Sequence, residues 1–163
     1  MHELGDAKIE EHAMSSGSTL RILAVDYGRK RIGLALSDEL GLTARPLAVI
    51  VRKNREADLK RLREICAQNS VGHIIVGHPV HITGEASEMA DEASRFAARL
   101  AKAVRIETEM VDERLTSWQA RETISETKGR AGKREAIDDV AAAVLLRDYL
   151  EHRREAAAAA ERD

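Results

Sequence analysis

Aromatic side chains are nearly missing from this chain. Tyr27, Phe96, Trp118 and Tyr149 are all it has, 2% of the residues. A protein that grips single strands by stacking bases on rings needs more of them. If nucleic acid is the partner, its backbone and shape are the expected targets. Cysteine is equally scarce. Cys66 is single, which excludes an internal disulfide framework and suits a reducing compartment. Its expected role is that of a small apolar residue on a buried helix face. No apolar run is long enough to span a bilayer. The opening MHELGDAKIEEHAMSSGST is polar and acidic, without the apolar stretch of a signal peptide or the Arg-rich pattern of a transit peptide. A cytoplasmic protein is expected. Net charge is −2 and the pI about 6.3, which argues against a globally basic nucleic-acid binder but not against a local basic patch.

What is present is enough for one packed domain: 163 residues, 44% of them hydrophobic. Residues 1–19, with Gly17 and three serines, read as a flexible lead-in. Residues 20–152 read as the folded domain, and 153–163 as an Ala-rich tail that extends the last helix or frays. Leu20–Asp26 and Ile32–Ser37 are expected strands joined by a tight basic turn. Pro46–Val51 is a third. Asn54 caps a helix to Gln68, with Leu59, Leu62, Ile65 and Cys66 on one face. Further strands are expected at His73–Val76 and Val104–Val111. Helices are expected over Glu85–Ala103, from Thr116 to Glu126 behind a capping box with Gln119, and over Ala136–His152. A hairpin followed by βα units predicts an α/β fold with a mixed sheet and helices on its faces.

Three places put acids where core residues belong. Asp26 ends the first apolar strand. Asp112 and Glu113 end another in VDERLTSWQ. Asp138 and Asp139 interrupt the apolar surface of EAIDDVAAAVLL, with Asp138 one turn before Ala142 and two before Leu145. Singly, each has an ordinary explanation: an Asx-turn into Gly28, a solvated strand end, a charge favoured by a helix dipole. Together they suggest carboxylates converging at one sheet edge. Such a group resists ionising unless a cation relieves the repulsion. Oxygen donors without zinc-type cysteine or histidine spacing point to Mg²⁺ or Mn²⁺. Two such ions are suited to phosphodiester hydrolysis.

VDYGRKRIGLALSD, IIVGHPVHITG, VDERLTSWQA and IDDVAAAVLL, in this order and spacing, resemble the YqgF (RuvX-like) family over about Leu20 to Leu150. The resemblance implies an RNase H-like fold, with a five-stranded sheet, and nuclease activity. The family's names point to pre-16S rRNA processing or to Holliday junction resolution. By this resemblance Asp26, Glu113 and Asp138 are the catalytic, metal-binding acids. Strand alternation alone leaves Asp112 and Glu113 open, and the family match selects Glu113. In GHPVHITG the chain departs from the family pattern: His78 replaces an apolar residue and His81 an asparagine. His81 still offers a hydrogen bond to phosphate, and titrates near neutrality. A His78–His81 metal pair lacks further ligands at a zinc-like spacing.

Basic residues adjoin each acid in sequence: Arg29, Lys30 and Arg31 after Asp26; Arg114 after Glu113; Lys128, Arg130, Lys133 and Arg134 before Asp138. A charge run is ordinarily a solvated face, but a positive rim around an acidic site suits a polyanion. Lys30, Arg31, His81 and Arg114 are the expected phosphate contacts, with Thr116 in support. The preferred substrate is structured RNA at the 5′ end of pre-16S rRNA, with branched DNA as the alternative, the protein acting as monomer or homodimer. Two other classes compete. An ATP phosphotransferase of the actin type also opens with a D-x-G hairpin but needs two such domains. A non-catalytic RNA-binding module has no use for three clustered carboxylates near phosphate.

Overall fold

The computed structural model describes residues 20–78, 84–112 and 134–163, with the backbone alone described at 78, 84–87 and 134–139. The elements run β1 (Arg21–Tyr27), β2 (Arg31–Ser37), β3 (Ala44–Val51), α1 (Arg55–Gln68), β4 (Val71–His78), α2 (Gly84–Val104), β5 (Glu107–Asp112) and α3 (Arg134–Ala160). The five strands form one sheet in the order β3-β2-β1-β4-β5. β1–β2 and β2–β3 are antiparallel, and β1–β4 and β4–β5 are parallel. This is the mixed sheet expected, with β1 at its centre. The helix expected from Thr116 to Glu126 lies outside the described residues.

Element ends differ from the sequence expectation for local reasons. β1 takes in Tyr27 because Tyr27 pairs with Ile32. β5 starts three residues later than expected because α2 runs to Val104 and Arg105 ends it at a positive φ of 55°. Asn54 caps α1 by accepting the Ala57 N–H at 2.8 Å. α3 continues through the Ala-rich stretch to Ala160, as alanine's high helix propensity favours.

Strand alternation splits the core in two. Leu23, Val25, Ile32, Leu34, Leu36, Ile74 and Val76 pack with Leu62, Ile65 and Cys66 of α1 and with Phe96, Ala97 and Leu100 of α2. Ile22, Ala24, Ala35, Ile75 and Val111 pack with Ala142, Leu145, Leu146 and Leu150 of α3. The α3 side is lined by small residues, so that helix lies close to the strands. At the starting end of the parallel strands, the Tyr149 hydroxyl donates to Glu109 at 3.0 Å, and His73 Nε2 lies 3.1 Å from the same carboxylate. These contacts tie α3 to β4 and β5.

On the α1–α2 side, Arg52 gathers the end of the hairpin. Its guanidinium donates to Asp58 at 3.1 Å, to the Tyr27 hydroxyl at 2.9 Å and to the Gly28 carbonyl at 3.2 Å. It also lies over the Tyr27 ring, 5.0 Å from the centroid. Asp58 is 2% exposed and accepts the Lys53 N–H as well. Burial works against the charge on Arg52, but its bonds to Asp58 and Tyr27 hold its pKa above the ordinary value. Removing one member of a buried pair strands the other. Asp58→Ala is therefore expected to lower stability by about 3 kcal/mol in urea denaturation, far more than Arg61→Ala in the exposed Arg61–Glu64 pair.

Cys66 is 4% exposed in α1. Burial pushes its thiol up to about 11, so the group stays protonated in the folded state. A raised pKa adds stability below the unfolded value, and that contribution is lost as pH rises through about 11. The folded protein is expected to leave thiol reagents unreacted at neutral pH and to react once unfolded, as a colorimetric thiol titration with and without denaturant would show.

Candidate nucleic-acid cleavage site

The site grows from the end of β1. Ile22 and Ala24 face α3, so alternation puts Asp26 on that face too. Asp26 is half-buried and pairs across the hairpin with Gly33, which gives the carboxylate an open neighbour instead of a side chain. The following turn needs a glycine. A Cβ on Gly28 would collide with the Arg31 carbonyl.

α3 runs antiparallel to β1. Leu150 shares a cleft with Leu20 and Ile22 at the start of β1 and lies 3.8 Å from where a Gly41 side chain would begin. Asp138 precedes Leu150 by twelve residues, about 18 Å of helix. Ile22 to Asp26 covers about 13 Å of strand. The N-terminal end of α3, with Asp138 and Asp139 in its second turn, thus runs toward the Asp26 end of the sheet. Asp138 is one turn before Ala142 and two before Leu145, both buried against the strands.

β5 ends at the same edge. Val76, Gly77 and His78 pair in parallel with Met110, Val111 and Asp112. Val111 packs on the α3 side and Met110 on the α1–α2 side. Alternation therefore places Asp112, which is exposed, on the face opposite Asp26. The sequence left Asp112 and Glu113 undecided. The strand's parity removes Asp112 from the Asp26 face, and Glu113 itself lies outside the described residues. His81, Arg114 and Thr116 lie outside them as well. Among the described residues no group of three His, Cys, Asp or Glu is placed to hold a metal.

The basic turn after Asp26 divides its labour. Arg29 turns to α2, bonding Glu92 at 3.0 and 3.2 Å and approaching Glu88 at 4.0 Å. The bond from Arg29 holds the Glu92 carboxyl below its usual pKa. Lys30 is exposed, and its carbonyl takes the Arg52 N–H at 2.9 Å. Arg31 lies two residues before Gly33 and four before Ala35, on the α3 face with Asp26. Sequence reasoning did not single out Arg52 and Asp58, which hold the turn from behind. One signal was present: Asp58 stands one turn before Leu62 on the buried stripe of α1.

An antiparallel hairpin leading into parallel strands, with helices on both faces of the sheet, defines an RNase H-like fold. The RuvC chain in complex with a Holliday junction substrate from T. thermophilus shares this fold, with a TM-score of 0.50 at 13% identity, over 82% of this chain and 96% of that one. The model of the RuvX family, described as Holliday junction resolvase, matches residues 20–152, and the chain belongs to that family. A relative from Koribacter versatilis, provisionally named pre-16S rRNA nuclease, is 42% identical over 82% of this chain and 88% of its own length. One of the same name from Symbiobacterium thermophilum is 43% identical over 82% of this chain and 94% of its own.

Gly28 carries a prediction. Gly28→Ala must displace the Arg31 carbonyl and with it the turn. It is expected to cost about 1–3 kcal/mol in stability, measured by thermal melting, while Arg29→Ala, in an exposed pair, leaves the melting temperature nearly unchanged.

Proposed function

We propose that the protein is a metal-dependent nuclease that hydrolyses phosphodiester bonds at the 5′ end of pre-16S rRNA. The observation that carries this is Asp26, half-buried at the end of the central strand, with the N-terminal end of α3 running toward the same edge. Family membership and the names of the relatives support the chemistry and the substrate. Asp26, Glu113 and Asp138 are the proposed ligands for Mg²⁺ or Mn²⁺. The donor set fits: carboxylate oxygens are what such ions take. Bound divalent cations supply activation of the attacking water and neutralise charge on the phosphate. Lys30, Arg31 and Arg114, with Thr116 and His81, are proposed to position the phosphates, and cleavage leaves a 5′-phosphate and a 3′-hydroxyl. No helix among the described residues is long and apolar enough to cross a membrane.

The test sets two substrates side by side with Mg²⁺ or Mn²⁺: a precursor rRNA 5′ segment and a four-way DNA junction. RNA cleavage that EDTA stops and Asp26→Asn lowers by at least about 10³-fold is the expected result, with the variant's melting temperature close to wild type. Symmetric cuts in the junction alone would move the protein to recombination. Tight RNA binding without cleavage under either metal would make it a binding module.

A further inference from the structure

We infer that the edge of β3 takes up an extended, acidic segment of a partner protein, added to the sheet as a further strand beside the groove between β3 and α1. The two edges of the sheet are β3 and β5. β5 carries Glu107, Glu109 and Asp112, charges of the kind that keep an edge from pairing. The first half of β3 is guarded in another way. Pro46 has no N–H to offer, and the pairing register shifts beside it, between Leu34 and Ala35 of β2. From Leu47 to Val51 neither device remains, and LAVIV holds no charge, proline or glycine. Val51 is 58% exposed. Among the described residues no strand covers this edge.

The ladder fixes which backbone groups face outwards. The Arg52 N–H donates to the Lys30 carbonyl at 2.9 Å. That bond brackets Arg31–Val51 as a pair without bonds between its own members. Ile50 therefore bonds Ile32, while Val49 and Val51 turn their N–H and C=O groups to the open edge. A strand about 4.8 Å away meets those groups and sends every second side chain to the α1 side. There a groove of about 530 Å³ separates β3 from α1, with Ala48, Ile50 and Ile65 as its apolar lining. Lys53, Lys60, Arg61 and Glu64 are exposed along it. Arg61 pairs with Glu64 at 3.6 Å, and Asp58 is held by Arg52, so Lys53 and Lys60 set the sign of the rim. Apolar side chains at alternate positions with acids at the flanks complement such a site, the backbone supplying affinity and the groove selectivity. A second copy is a poorer match, because a twofold contact sets the same cations against each other. RNA phosphates would meet the lysines but gain nothing from the apolar lining or the strand edge. Ile50 belongs to the α1–α2 core, so the groove is on the face opposite Asp26 and the inference does not depend on the nuclease reading.

The test uses the full chain and a fluorescein-labelled peptide, EEVTVTVEE, with affinity read by anisotropy and amide exchange followed by NMR. In the free protein the Val49 and Val51 amides are expected to exchange fast and Ile50 slowly. The peptide is expected to slow Val49 and Val51 by at least about tenfold. Val51→Pro removes an outward N–H that the β2 ladder does not use, and is expected to weaken binding by at least about tenfold with a melting temperature near wild type. Lys53→Glu combined with Lys60→Glu is expected to weaken it as much, and KKVTVTVKK is expected not to bind. A peptide N-methylated on the edge facing β3 should lose binding while one methylated on the other edge keeps it, which reads the added strand without altering the protein. The proposal is overturned if the acidic peptide shows no saturable binding, if both methylated peptides bind alike, or if exchange at Val49 and Val51 does not change. Equal binding of KKVTVTVKK overturns the choice of an acidic partner. A dimer in sedimentation that Val51→Pro abolishes would assign the edge to a second copy. A short oligouridine that displaces the peptide through Lys53 and Lys60 would assign the rim to RNA. Either result also overturns the proposal.

Discussion

The geometry at the end of β1 depends on Arg52. One side chain reaches the Tyr27 hydroxyl, the Gly28 carbonyl and Asp58, and its own N–H meets the Lys30 carbonyl. Those contacts pin both ends of the turn that joins β1 to β2. Without them the turn would be held by Gly28's tight backbone and an exposed Arg29–Glu92 pair, which is a weak tether in water. Asp26 is the residue before Tyr27, and alternation sends it to the opposite face. Fixing Tyr27 against Phe96 and Arg52 on one side therefore aims Asp26 on the other. The anchoring described here is done from behind the sheet, on the face opposite Asp26.

The same division explains the choice of residues on the α3 face. Ala24, Gly33, Ala35, Ala142 and Ala143 are small where β1, β2 and α3 meet. Small residues at these positions let the helix axis lie close to the strands. Large residues such as Leu23, Leu34, Leu36 and Phe96 are on the other face, where two helices share the area. A stronger apolar core on one side lets the other side carry half-buried polar groups at its edge. Asp26 and Arg31 are there, and Arg31 Nε is buried without a hydrogen-bond partner, a cost borne by packing elsewhere.

Much of this was legible in the sequence. Short continuous apolar runs gave the strands, Asn54 gave the start of α1, and the acid ending the first run gave Asp26 its prominence. Legibility failed where one signal has two causes. An acid on an apolar helix stripe selected Asp138 for the site, yet Asp58 in α1 carries the same mark and is a structural partner of Arg52. Only the three-dimensional position of Arg52, in the connection between β3 and α1, tells the two apart. Parity was the other gap. Met110 and Asp112 share a face in any strand, but which face meets Asp26 depends on how β5 registers on β4. The basic run Arg29-Lys30-Arg31 likewise read as one patch. The turn splits it, sending Arg29 to α2 and Arg31 to the α3 face.

That split bears on how a chain of net charge −2 meets a polyanion. Overall charge sets long-range attraction, which salt screens within about 10 Å. Near the site, what matters is which charges remain available. Arg29 and Arg52 are neutralised by carboxylates on the α1–α2 side, so they add nothing to a phosphate on the α3 side. Arg31 is on that α3 side, diagonal to Asp26. A module that only bound RNA would gain by removing that acid, since an unscreened carboxylate near phosphate repels it. A site that binds through cations needs both signs side by side: acids to hold the metal and a guanidinium to hold phosphate. Asp26 and Arg31 share the α3 face across one hairpin, so the proposed site has both signs of charge side by side.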